Sequence, residues 1–120
     1  MRILVVDDSR HFLDAARAVL ERDGVTVVGV ASASADAIRL AVELRPDAIL
    51  VDVDLGEESG LGLTEQLVST VDARVVLISV YPESEIADLV AASPAAGFVS
   101  KAKLSASVVL DVLRSARSDG

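Results

Sequence analysis

Five short apolar runs punctuate the chain: Ile3–Val6, Thr26–Val30, Ala48–Val51, Arg74–Ile78 and Gly97–Val99. Most are continuously apolar and rich in β-branched residues rather than alternating, as in strands buried on both faces of a parallel sheet. Helical spacing fills the intervals. Phe12, Ala16, Val19 and Leu20 share one face opposite Asp14, Arg17 and Glu21, with Ser9 as N-cap and Gly24 as stop. Ile38, Ala41 and Val42 form a second stripe between Ser34 and Pro46, and Leu63, Leu67 and Val71 a third after Ser59. Ile86, Leu89 and Val90 lie between Ser84 and Pro94, and Val108, Val109, Val112, Leu113 and Ala116 follow Ser105. Strand and helix alternating five times predict an α/β fold, (βα)5: a doubly wound sheet of five parallel strands in the flavodoxin-like order 2-1-3-4-5, with helices on both faces. Residues 1–120 read as one domain, without linker, repeat or low-complexity segment.

Composition narrows the function classes. Hydrophobic residues make up 52% of the chain, yet Phe12, Tyr81 and Phe98 are its only aromatics, so the core is aliphatic. A net charge of −8 opposes a phosphate backbone, so direct nucleic-acid binding is not expected. With no cysteine there is no disulfide, thiolate metal site or cysteine nucleophile. The first apolar run stops at two aspartates, too short for a signal peptide, and no stretch reaches the roughly 18 apolar residues of a membrane span. A cytoplasmic location is the expectation.

In doubly wound sheets, ligands bind outside the carboxyl ends of the strands, near the switch in strand order. The predicted strands end in Asp7 and Asp8, in Ala31–Ser32, in Asp52, in Ser79 and in Lys101. Apart from the second, these ends converge three carboxylates, a hydroxyl and an ammonium. Two carboxylates about 4 Å apart repel by about 4 kcal/mol at an effective dielectric of roughly 20, so three call for a proton or a cation. Hard oxygen ligands without His or Cys suit Mg²⁺ or Mn²⁺. A carboxylate can accept a phosphoryl group as an acyl phosphate, and the loose transition state is stabilised by positioned cations and donors. The blander reading, strand-end aspartates on a solvated rim with a surface lysine and a loop serine, explains each residue singly but not their joint placement.

These residues resemble the response regulator receiver family: the acidic pair Asp7–Asp8 after the first strand, Asp52 closing Ala48-Ile49-Leu50-Val51-Asp52, the hydroxyl of Ser79, and Lys101 in Gly97-Phe98-Val99-Ser100-Lys101. The intervals of 44, 27 and 22 residues between Asp8, Asp52, Ser79 and Lys101 are ordinary for that family. The resemblance runs from Met1 to about Arg117, and the run around Lys101 looks most like receivers that precede a helix-turn-helix output domain. It implies that Asp52 takes a phosphoryl group from a histidine kinase or histidine phosphotransfer protein. Asp8 and Asp52 would ligate Mg²⁺, joined by Asp7 through water and by the Asp54 backbone carbonyl. Lys101 would contact the phosphoryl group, and Ser79 would move to hydrogen-bond it. Asp54 and Tyr81 would flank the path of attacking water. Phe98 stands at the family's switch aromatic, Val80 follows Ser79 where Ala is common and would crowd that ring, and Ala102 replaces a common Pro. A cis bond before Ala costs about 3–4 kcal/mol, so a trans Lys101–Ala102 bond is expected.

Two rivals remain at this stage. Asp52-Val53-Asp54 matches the Asp-x-Asp of haloacid-dehalogenase-type phosphatases, although the acidic pair then stands too early, and steady phosphate release from small phosphoesters would discriminate. A pseudo-receiver would keep the fold without phosphorylation. On the receiver reading the chain modifies itself and has no turnover substrate. Its output surface would be the fourth helix, fifth strand and fifth helix, with Ile86, Leu89, Leu110 and Leu113, and Leu110 is expected to be an exposed partner contact, for a homodimer among others. Ser118-Asp119-Gly120 reads as the start of a linker or a frayed tail, leaving open a stand-alone receiver or one cut from a DNA-binding regulator.

Overall fold

The computed structural model describes residues 1–118, and of 116–118 the backbone alone. Strands β1 (Arg2–Val6), β2 (Thr26–Ala31), β3 (Ala48–Asp52), β4 (Arg74–Ser79) and β5 (Gly97–Ser100) form one parallel sheet in the order β2-β1-β3-β4-β5. This is the predicted flavodoxin-like doubly wound fold. Helices α1 (Arg10–Arg22), α2 (Ser34–Leu44), α3 (Gly60–Thr70), α4 (Glu83–Ala92) and α5 (Ala106–Ser118) connect and follow the strands. The continuous apolar runs are explained by burial on both faces. Ile3 and Val5 pack with Leu13, Leu20, Val109 and Leu113 on the α1/α5 side, while Leu4 and Val6 pack with Ala37, Ala41, Leu63 and Leu67 on the α2/α3 side. Each fully buried Leu, Ile or Val contributes roughly 1.5–3 kcal/mol, so the two layers hold the strand ends in register.

Several local expectations need correcting. Ser9, Ser59 and Ser105 cap their helices through backbone N–H groups of Phe12, Gly62 and Val108, at 3.2, 3.2 and 3.1 Å. Ser34 and Ser84, however, lie inside α2 and α4, whose cap positions are Ala33 and Pro82. A remote carboxylate serves α2 instead: Glu58 Oε1 accepts from Ser34 N at 2.9 Å. Glu58 belongs to a two-residue-a-side hairpin, Asp54–Leu55 with Glu58–Ser59, that the periodicity did not reveal. On α1 the buried stripe is Leu13, Ala16 and Leu20, with Phe12 half-buried beside it. Val42 and Leu89, assigned to buried stripes, are 52% and 50% exposed, because Ala37 takes the core place on α2 and the edge strand under α4 buries little beyond Ile86. Leu110 is half-buried rather than exposed, lining a depression with Met1, Asp47, Arg74 and Leu113 at the amino-terminal edge of the sheet. The stripe position Ala116 and the tail Ser118-Asp119-Gly120 lie outside the side chains described. No described peptide bond is cis, the Lys101–Ala102 bond included.

Candidate functional site

Because β1 is flanked by β2 on one side and β3 on the other, the chain reverses its winding between β1 and β3, and a crevice opens at their carboxyl ends. Asp7 directly follows β1, Asp52 is the last residue of β3, Ser79 the last of β4, and Lys101 the first after β5. In-register pairing of Asp52 with Ile78 and of Ser79 with Ser100 brings these ends level. Asp7, Asp8, Asp52 and Lys101 come together, and Ser79 ends the strand that lies between those of Asp52 and Lys101. Asp7, Asp52 and Ser79 are buried and Asp8 is exposed at the rim.

The hydrogen bonds are unequal in kind. Asp7 Oδ1 accepts from Ser9 N at 2.9 Å, tying the acid to the cap of α1. Asp7 Oδ2 is buried without a hydrogen bond of regular geometry and meets the Lys101 ammonium, its Nζ 2.5 Å away. Asp52 Oδ1 accepts from Asp54 N at 3.1 Å, and its Oδ2 from Lys101 Nζ at 3.0 Å. Burial pushes the Asp52 carboxyl above its ordinary 3.8, outweighing Lys101 and the Asp54 N–H, and the charge of Asp7 pushes the same way. Burial pulls the Lys101 ammonium down, but the bonds to Asp7 and Asp52 together carry it above its ordinary 10.5.

Asp7, Asp8 and Asp52 each place a carboxylate oxygen within 4.8 Å of the others. An all-oxygen set of this charge, with one acid open to solvent, fits a hard divalent cation. Asp54 is exposed, and its carboxylate accepts from Gly56 N at 3.2 Å rather than joining the cluster.

Ser79 Oγ accepts from Tyr81 N at 3.0 Å, which leaves its proton free to donate elsewhere. The Tyr81 side chain is half-exposed beside this turn. Val80 is 73% exposed, so it does not crowd Phe98 as the sequence suggested. Phe98 is half-buried and packs on the α2/α3-side core with Val90 and Ala95 as neighbouring members of that layer.

Three contributors escaped the sequence reading. Gly60 approaches β3 so closely that a Cβ would collide with the Asp52 carbonyl, and Gly60 N donates to Val53 O at 2.9 Å. A glycine opening a helix, where it is a poor helix former, was the available signal. Gly56 has φ +72° and sits against Asp8 Oδ2. The Phe12 ring lies under the lysine, its centroid 4.4 Å from Lys101 Nζ. Among the described residues no helix is long and apolar enough to cross a membrane.

Comparison with known proteins agrees with this arrangement. The family model for the response regulator receiver domain matches residues 3–112. The chain is 35% identical to the response regulator GacA of Pseudomonas aeruginosa over 84% of its own length and 48% of that protein's. It spans less than half the length of this and other curated relatives that it matches. Among solved structures it resembles the signal receiver domain of NarL from Mycobacterium tuberculosis (31% identity, TM-score 0.82, covering 97% of this chain and 95% of that one). It also resembles a Burkholderia pseudomallei response regulator determined with a phosphorylated aspartic acid, calcium ion and citrate (28% identity, TM-score 0.82, 98% and 69% covered).

Proposed function

The chain belongs to the response regulator receiver domain family, and from that premise we propose that it is a phosphoacceptor whose acceptor is Asp52. The observation that carries the reading is the Asp52 carboxylate itself, buried at the end of β3 and hydrogen-bonded to Lys101, with Asp7 and Asp8 beside it. An oxygen of Asp52 bonds to phosphorus as the phosphorus–nitrogen bond of a donor phosphohistidine breaks. The electron pair leaves with the imidazole nitrogen, which takes a proton from solvent. The acceptor needs no general base, because the nucleophile is the carboxylate itself, whose charge Lys101 stabilises.

Lys101 and the Ser79 hydroxyl donate to phosphoryl oxygens as charge spreads over them. Asp8 and Asp52 would hold Mg²⁺ (or Mn²⁺) directly, with Asp7 through water and the Asp54 carbonyl completing the set. The ion, when bound, supplies the positive charge that lets phosphoryl oxygens approach three carboxylates. Water attacking past Asp54 and Tyr81 then releases phosphate, so the domain resets itself without a turnover substrate. The partner is a cytoplasmic histidine kinase or histidine phosphotransfer protein. Movement of Ser79 toward the phosphoryl group, followed by Phe98, would alter the α4–β5–α5 face for an output partner or a second copy.

Phosphoramidate, which carries the same phosphorus–nitrogen bond, tests the chemistry. With Mg²⁺ it should label the protein with a phosphoryl group that hydroxylamine removes, and EDTA should prevent labelling. Labelling that resists hydroxylamine, or no labelling, overturns the proposal.

A further inference from the structure

The ring beneath Lys101 closes a circuit of contacts. Asp7 Oδ1 fixes Ser9 N, Ser9 Oγ fixes Phe12 N, the Phe12 ring faces Lys101 Nζ at 4.4 Å, and the same ammonium returns to Asp7 Oδ2. Phe12 is half-buried and packed against the α1/α5-side core, so the backbone cap and the core both set its position. The ammonium has three N–H donors, and two carboxylate oxygens, on Asp7 and Asp52, draw on them. An aromatic face attracts a cation through its quadrupole and leaves every oxygen lone pair at the site to others.

We propose that Phe12 is a positioning residue for Lys101, holding the ammonium between β1 and β3 when its bond to Asp52 is exchanged for one to a phosphoryl oxygen. The proposal rests on the reading of Lys101 given above. While Asp52 is a free carboxylate, Lys101 is held by two acids and a ring. Once Asp52 carries a phosphoryl group, the charge on that acid has moved outward, and the ring becomes one of the two anchors that do not move. A leucine would fill similar space without the quadrupole, whereas tyrosine keeps it.

The test is the rate of labelling by phosphoramidate and Mg²⁺ in wild type, Phe12→Leu and Phe12→Tyr, alone and with Lys101→Met. Phe12→Leu should slow labelling about threefold to tenfold, the scale of a partly desolvated cation–π contact, and Phe12→Tyr should stay within about twofold of wild type. In the Lys101→Met background, Phe12→Leu should change nothing further. An independent readout is the NMR signal of the Lys101 ε-methylene, which the ring current should displace in wild type and Phe12→Tyr but not in Phe12→Leu. An unlabelled wild type with a displaced lysine signal overturns the function and leaves the contact standing. A labelled wild type with Phe12→Leu unslowed, with Leu and Tyr equally slowed, or with the same slowing in Lys101→Met overturns the positioning role itself.

Discussion

Replacing Lys101 with Met keeps a long unbranched side chain and deletes the ammonium. The lysine side chain is 13% exposed, against 0% for Asp7 and 8% for Asp52. Without it, carboxylates with oxygens within 4.8 Å of each other repel by about 3.5 kcal/mol at an effective dielectric of roughly 20. Removing one partner of a buried ion pair typically costs about 3–5 kcal/mol, and the partial exposure of the lysine argues for the lower end. A proton limits the loss. Neutralising a carboxylate of ordinary pKa 3.8 costs about 4.4 kcal/mol at pH 7 and about 1.6 kcal/mol at pH 5, at about 1.36 kcal/mol per unit.

We therefore expect Lys101→Met to lose about 3 kcal/mol at pH 7, roughly 10 °C in Tm, and to lose less than about 1.6 kcal/mol at pH 5. Urea melts in EDTA at the two pH values measure both. Ammonium and Mg²⁺ compete for the same carboxylates, so stabilisation by Mg²⁺, about 1.4 kcal/mol at roughly ten times its Kd, should be larger in the variant. A variant melting within about 2 °C of wild type at pH 7, or a deficit that grows toward pH 5, would refute the argument.

Asp52→Asn should have the opposite effect. Because the Asp52 pKa is raised in the fold, the native state binds more protons than the unfolded chain between 3.8 and the raised value, and this group's contribution to stability falls as pH rises through that interval. The Asn variant should therefore melt above wild type in EDTA at neutral pH, with the gap closing as pH approaches 3.8; a wild type that outlasts it at pH 7 contradicts the sign. Lys101 behaves in the reverse sense: its pKa lies above 10.5, so the stability it confers is complete below that pH and is lost as pH rises through the folded value, a loss absent from Lys101→Met. Gly60→Ala forces a Cβ into the Asp52 carbonyl, so the start of α3 or the end of β3 must shift. Denaturant unfolding should register a loss of about 3 kcal/mol or more, beyond an ordinary single substitution, and a loss under about 1 kcal/mol would mean the approach relaxes easily.

The parts of the site legible in the sequence were those that topology alone fixes. Five buried runs specify a parallel sheet, a parallel sheet sends every strand's carboxyl end to one edge, and the residues there are read off directly: Asp7, Asp8, Asp52, Ser79 and Lys101. Features set by side-chain direction were not legible. Phe12 and Leu13 are adjacent apolar residues on α1, and only the packed helix decides that Leu13 enters the core while Phe12 lies beneath the lysine. Val80 and Leu110 were misplaced for the same reason, since a loop valine turns to solvent and a helical leucine toward the lower edge of the sheet without any change in pattern. The hairpin at Asp54–Ser59 and its Glu58 cap on α2 depend on a contact across 24 residues, which local propensity does not encode.

The central claim is that Asp52 is the phosphoacceptor, and intact mass measurement after incubation with acetyl phosphate and Mg²⁺ tests it most directly. Wild type should gain the mass of one phosphoryl group, and Asp52→Asn, which keeps the shape of the side chain, should gain none. Equal labelling of the two proteins would place the acceptor elsewhere and contradict the account.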